Sequence, residues 1–131
     1  VAGRLGGINA ITLFVADPAR SRAFYEKVLG GRVMFEDADS VVFDAGNTML
    51  NLLAAAEAPE LITPATVATP DAPARSVFSF FVEDVDAECA HLVEAGIQLL
   101  NGPVDRPWGK RTAAFADPDG TIWEVAQDLP R

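Results

Sequence analysis

Phe14-Val15-Ala16-Asp17 and Phe81-Val82-Glu83-Asp84 are one phrase written twice in this chain. Each closes a short apolar run on an aspartate whose carboxylate suits a helix N-cap. A second pair follows: Asp44-Ala45-Gly46-Asn47-Thr48-Met49-Leu50-Asn51 is answered by Asp117-Pro118-Asp119-Gly120-Thr121-Ile122-Trp123-Glu124. Between these landmarks the second copy is the longer, which predicts an extended loop around 101–110. A repeat of this kind predicts one supersecondary unit built twice.

Outward from the first phrase, residues 8–15 read as a strand, rich in Ile, Leu, Phe and Val. Asp17 caps a helix, Pro18 suits its first turn, and Gly30 suits its exit. Ser21, Phe24 and Val28 share one face at helical spacing. Strands follow at 32–35, 40–44 and 48–53, with Gly46-Asn47 as a tight turn. From the second phrase, 77–82 is a strand and Asp84 caps a helix that ends near Gly96. Val85, Cys89, Leu92 and Val93 form its apolar face. Strands are expected at 97–100, 112–116 and 121–126, the last two joined by the Asp117-Pro118-Asp119-Gly120 turn. The order is βαβββ twice, an α+β fold. The expected organisation is one domain over 1–131, with modules at 8–53 and 77–127. The joining segment, 54–76, carries Pro59, Pro64, Pro70 and Pro73, and its Ala-Glu-Leu-Ile content predicts partial order with a short helix.

Half of the 131 residues are apolar, enough for a real core, and 19 acidic residues outweigh 10 basic ones for a net charge of −9. That balance disfavours nucleic acid, whose phosphates need a basic stripe, and disfavours an anionic membrane surface. No apolar run is long enough to span a bilayer, and residues 1–7 lack the regions of a signal peptide. Cys89 is the single cysteine, so no intramolecular disulfide forms and a cytoplasmic location is expected.

The stretch Phe24-Tyr25-Glu26-Lys27-Val28-Leu29-Gly30 after an Asp-capped start, and Trp108-Gly109 followed by the 117–124 stretch, resemble the vicinal oxygen chelate superfamily. That superfamily contains glyoxalase I, bleomycin-resistance proteins and extradiol dioxygenases. The resemblance covers about 8–127. It implies that each βαβββ unit curls into a cupped half-barrel of mixed sheet, that the sheets enclose a ligand cavity, and that two subunits form a homodimer. It also implies that metal-dependent members place one ligand on the first and one on the last strand of each module. Here those positions are Ala10, Asn51, Val77 and Glu124. Ala10 and Val77 cannot ligate, and one amide with one carboxylate does not make the three or more donors that a catalytic transition metal needs. No metal and no cofactor are therefore expected, and glyoxalase I, dioxygenase and fosfomycin-modifying activities are disfavoured.

Strand alternation sorts the cavity side chains. If Ala10 faces it, so do Ile8, Thr12 and Phe14. If Val77 does, so do Ser79 and Phe81. Met49, Asn51 and Leu53 join from one copy, and Ile122, Glu124 and Ala126 from the other. The opposite set, Ile11, Leu13, Leu52, Phe78, Phe80 and Val125, packs beneath the helices. Such a cavity is mostly apolar with a few polar groups, which suits a flat apolar or aromatic ligand. Glu124 either accepts a hydrogen bond from a ligand, pairs with its cation or acts as a general base, or it is a satisfied carboxylate paired with Arg111 or a relic of metal-binding ancestors. Trp108 either stacks on a ligand at the cavity mouth or anchors its loop. Arg111 either neutralises an anionic ligand, pairs with Glu124 or is solvated. Trp123, alternating away from Glu124, belongs to the core. His91 reads as a solvated helix residue and Cys89 as an inert core thiol.

The leading functional expectation is metal-free binding or sequestration of a small apolar or aromatic compound, in the manner of bleomycin-resistance proteins. The alternative is a metal-independent lyase or isomerase with Glu124 as base. Such an enzyme also needs a group to stabilise an oxyanion, for which Arg111 or a backbone amide is the candidate. A third reading, an accessory domain acting through its interface, has no specific residue behind it.

Overall fold

The computed structural model describes residues 3–30 and 32–130. Residues 1 and 2 of the N-terminal stretch read above lie outside the described residues. The chain divides into two compact units, 1–68 and 69–131, and the division falls inside the joining segment. Each unit holds one βαβββ module.

In the first unit, strand β1 (Ala10–Val15) leads to helix α1 (Pro18–Leu29), then to β2 (Val33–Glu36), β3 (Ser40–Asp44) and β4 (Met49–Ala54). The sheet order is β1-β4-β3-β2. β1 runs parallel to β4, and the remaining pairs are antiparallel. The Asp17 carboxylate accepts from the backbone N–H of Ala19 at 3.1 Å and of Arg20 at 3.3 Å. Gly30 ends the helix in the left-handed region at φ 78°, which glycine adopts without Cβ penalty. Ser21 and Tyr25 are the buried residues of α1. They stand one turn apart in a single row, while Phe24 and Val28, expected to lead that face, flank it half-buried. Tyr25 packs against Phe43 on β3 at 6.4 Å between ring centroids. Val41, Phe43, Leu50 and Leu52 complete the core under α1, and each such burial contributes roughly 1.5–3 kcal/mol.

The joining segment begins with a 3-10 turn (Ala55–Glu57) and the short helix α2 (Pro59–Ile62), which bears out the helix expected from its Glu-Leu-Ile content.

The second unit repeats the plan with β5 (Val77–Phe81), α3 (Val85–Glu94), β6 (Leu99–Arg106), β7 (Lys110–Ala116) and β8 (Ile122–Asp128), in sheet order β5-β8-β7-β6. Asp84 caps α3 by accepting from the Ala87 N–H at 3.0 Å. The Val85 N–H is taken by the Gln127 side chain at 2.6 Å. Val85, Cys89 and Leu92 are buried, but Val93 is 57% exposed. Val93 stands about 80° round the helix from Val85, at the edge of the stripe. Beneath α3 lie Ala113, Phe115, Trp123 and Val125, with Phe80 stacked on Trp123 at 5.0 Å. The second sheet differs most from expectation at β6. The segment read as a loop over 101–110 is strand as far as Arg106, a turn over 107–109, and strand again from Lys110. No helix among the described residues is long and apolar enough to cross a membrane.

Candidate functional site

In each module the helix covers one face of the sheet and leaves the other, here called the open face. On β8, Trp123 and Val125 are buried toward α3, so Ile122, Glu124 and Ala126 alternate onto the open face. Ser79 is the register partner of Glu124 in the parallel β5–β8 ladder. Its hydroxyl donates to Glu124 Oε1 at 2.8 Å. Phe81, opposite Ala126, is 81% exposed, and Lys110 Nζ stands 5.2 Å from the centre of its ring. Lys110 also pairs with Asp128.

The first module repeats the arrangement at equivalent positions. Thr12 is the register partner of Asn51, and Asn51 Nδ2 donates to Thr12 Oγ1 at 3.4 Å. Asn51 Oδ1 is buried and has no hydrogen-bond partner. Phe14 stands opposite Leu53 and Met49 opposite Ala10 on the same face. Alternation thus places Thr12, Phe14, Met49 and Asn51 together in one unit, and Ser79, Phe81, Ile122 and Glu124 together in the other.

Of the readings left open for Arg111, pairing with Glu124 is not the one the structure shows, and the loop expected at Trp108 is a turn. Arg111 does not join Glu124. It is the register partner of Gln127, whereas Glu124 faces Ala114, and an odd offset along β7 turns Arg111 to the helix side. There its guanidinium binds Asp105 at 2.7 Å and Asp86 of α3 at 3.1 Å. The hydrogen bond from Arg111 holds the Asp105 carboxyl below the usual carboxylate range, and Asp105 in turn raises the guanidinium. Trp108 is not on a long loop but on the β6–β7 turn, 68% exposed. It lines an open cavity of about 650 Å³ together with Pro107, Gly109, Asp128, Leu129 and Pro130, to which Glu124 does not contribute.

Three open-face residues were missed. Arg106 Nε donates to Thr112 Oγ1 at 2.9 Å and its Nη2 to Asn101 Oδ1 at 3.3 Å. Register places Asn101 opposite Ala114, Val104 opposite Thr112 and Arg106 opposite Lys110, all on the face of Glu124. The offset between Asn101 and Val104 marks a bulge, which shifts the alternation. Gly102-Pro103 at that point reads as a loop signal in sequence, and so the strand and its side chains were hidden. His91 lies exposed on α3, as expected of a solvated helix residue. Cys89 is buried, and desolvation, with Asp86 and Glu88 nearby, pushes its thiol up.

The donor set at the four family ligand positions does not fit a divalent metal. Ala10 and Val77 offer no donor atom, Asn51 offers an amide, and Glu124 offers a carboxylate already bonded to Ser79. Among the described residues no group of three or more His, Cys, Asp or Glu side chains gathers anywhere.

Residues 7–125 match the family model of the Glyoxalase/Bleomycin resistance protein/Dioxygenase superfamily. The chain belongs to that superfamily. It is also 32% identical over 123 residues to the uncharacterized protein YraH of Bacillus subtilis, covering 91% of this chain and 96% of that protein. Its fold is similar to that of a glyoxalase/bleomycin resistance protein/dioxygenase from Nocardioides, with a TM-score of 0.84 and 25% identity over 98% of this chain and 87% of that one. A glyoxalase-related enzyme from Fulvimarina pelagi is similar as well, with a TM-score of 0.81 and 27% identity over 95% of this chain and 89% of that one. The α+β fold of two mixed four-stranded sheets is therefore that of the glyoxalase/bleomycin-resistance superfamily.

Proposed function

We propose that this superfamily member binds a small apolar or aromatic compound without a metal, at the open face of a module, where Thr12–Asn51 stands in one and Ser79–Glu124 in the other. The observation behind this reading is the pair of equivalent polar couples set among Phe14, Met49, Phe81 and Ile122. Residues without donor atoms, Ala10 and Val77, stand where metal-dependent relatives need ligands. An apolar surface with a few placed polar groups matches the composition of small-molecule sites. Trp108 belongs to the same reading as an exposed stacking surface, whereas Arg111 is left out of it. The test pairs two titrations of the purified protein. Zn²⁺ and Mn²⁺ are expected to show no micromolar site in competition with a chelator. Ligand-observed NMR with a set of aromatic fragments is expected to show saturable binding. A tight metal site, or no saturable fragment, overturns the reading.

A second reading, proton abstraction by Glu124 without a metal, gains support from Arg106, a cation on the same face that meets the need for an oxyanion partner. Replacing Glu124 by Gln separates the two. A base-dependent turnover is lost in that variant, while a binding site is only weakened. A homodimer and a cytoplasmic location complete the proposal, supported by the exposed apolar side chains of Val77 and Phe81 and by a lone buried thiol. Sedimentation velocity checks the former.

A further inference from the structure

Four cations among the described residues are answered by carboxylates. Arg22 meets Glu26 and Glu36, Arg32 meets Asp44, Lys110 meets Asp128, and Arg111 meets Asp86 and Asp105. Arg106 is answered differently. It is half-buried on the open face, and its two hydrogen bonds go to neutral acceptors, Thr112 Oγ1 and Asn101 Oδ1. Among the described residues no carboxylate lies within ion-pair distance of it. A guanidinium carries five N–H donors in one plane. Two of them fix that plane here, and three are left with an uncompensated charge in a chain of net charge −9. Trp108 lies 6.0 Å from the Arg106 Cζ and adds an apolar surface beside it.

The sheet register sets a second pole. Asn101, Ala114, Glu124 and Ser79 stand in one row across β6, β7, β8 and β5. Asn101 and Glu124 are therefore two strand spacings apart, about 10 Å, with only the Ala114 methyl between them. Ser79 occupies one oxygen of Glu124 and leaves the other available. The open face thus presents a fixed, unanswered guanidinium on one side of an alanine floor and a carboxylate on the other.

We propose that this face selects a small carboxylic acid that also carries an ammonium or hydroxyl donor. The ligand carboxylate takes the free edge of Arg106 as a charge-assisted, bidentate partner. The donor takes Glu124. This rests on the binding reading above and adds the ligand's chemical class.

The test compares four probes by calorimetric titration: 3-phenylpropanoate, 3-phenylpropanamide, phenethylamine and L-phenylalanine. The acid is expected to bind at least tenfold tighter than its amide, in keeping with the strength of a charge-assisted pair, and L-phenylalanine tighter than either singly charged probe. R106Q is expected to erase the preference for the acid, R106K to keep part of it, and E124Q to keep it while erasing the advantage of the ammonium. Unfolding midpoints of the variants control for loss of fold, and R106K carries the test if R106Q does not fold. Equal binding of acid and amide by the wild type, or an acid preference that survives in R106Q, overturns this inference and leaves the binding reading standing. If none of the four probes saturates, the inference is also overturned, and the binding reading is then judged by its own fragment and metal titrations.

Discussion

The two modules share a helix-side core and diverge on the open face. Phe43 opposite Leu50 in one unit corresponds to Phe115 opposite Trp123 in the other, and all four are buried. Both helices start on an aspartate cap. On the open face, Asn51 with Thr12 is a neutral couple, whereas Glu124 with Ser79 brings a charge. The edge strands differ more: β2 has 4 residues and β6 has 8, and the added length carries Asn101 and Arg106. A packed core tolerates little change in volume, so divergence between the copies shows where packing does not forbid it. The open face of the second module is where polar chemistry has collected.

The largest expected effect comes from the bulge that makes room for this extension. Gly102 has φ 86°. A Cβ there would fall against the Thr112 carbonyl oxygen and lie 2.7 Å from the Ala113 Cα. Gly102→Ala combines left-handed strain with a backbone collision and is expected to cost about 3 kcal/mol. In the first module Gly30 also has positive φ, but a Cβ would meet nothing within 4 Å, so Gly30→Ala is expected to cost only about 1 kcal/mol. Urea unfolding of the two variants measures the gap. Equal costs would mean that the β6 backbone yields easily, and the contrast between the modules would lose its structural basis.

That same glycine explains what the sequence concealed. Helix ends were legible because each rests on a local device, an aspartate at one end and a glycine at the other. The couples Thr12–Asn51 and Ser79–Glu124 were legible as same-face positions because β1, β4, β5 and β8 alternate without interruption. Their mutual hydrogen bonds needed the register between distant strands. Arg106 was not legible. A bulge shifts the phase of alternation, and Gly102-Pro103 carries the composition of a turn. The readings of Arg111 stayed open for a related reason: with β7 expected to begin at 112, its face was not fixed by alternation.

The helix starts supply the next effect. Asp17 accepts two backbone N–H groups, whereas Asp84 accepts one, and the Val85 N–H of the second helix is satisfied by Gln127 of β8. The first helix is thus capped locally and the second partly through its sheet. Asp17→Ala is expected to cost about 1 kcal/mol, and Asp84→Ala a few tenths less. The double replacement of Asp84 and Gln127 by Ala should at least match the loss at Asp17. A single Asp84→Ala that costs more than Asp17→Ala would reverse the assignment.

The smallest effect concerns acid. Asp37 in the first unit and Asp105 in the second both have carboxyls held below the ordinary range, but for different reasons. The Asp39 N–H leads at Asp37, followed by the Ser40 hydroxyl, while the hydrogen bond from Arg111 leads at Asp105. A carboxyl with a depressed folded pKa binds its proton less readily than in the unfolded chain. Its contribution to stability is therefore complete above the unfolded value, about 3.9, and is lost as pH falls through the folded value. Both units are expected to lose stability as pH falls below about 4. Salt separates the two causes, because it screens an exposed ion pair and leaves a hydrogen bond to backbone N–H largely intact. Carboxyl NMR titrations at low and high salt should show Asp105 moving back toward the ordinary value while Asp37 stays depressed. If both move together, the turn at Asp37 is held by long-range charge rather than by its own N–H groups. In that case the local character assigned to the first module fails at its simplest site.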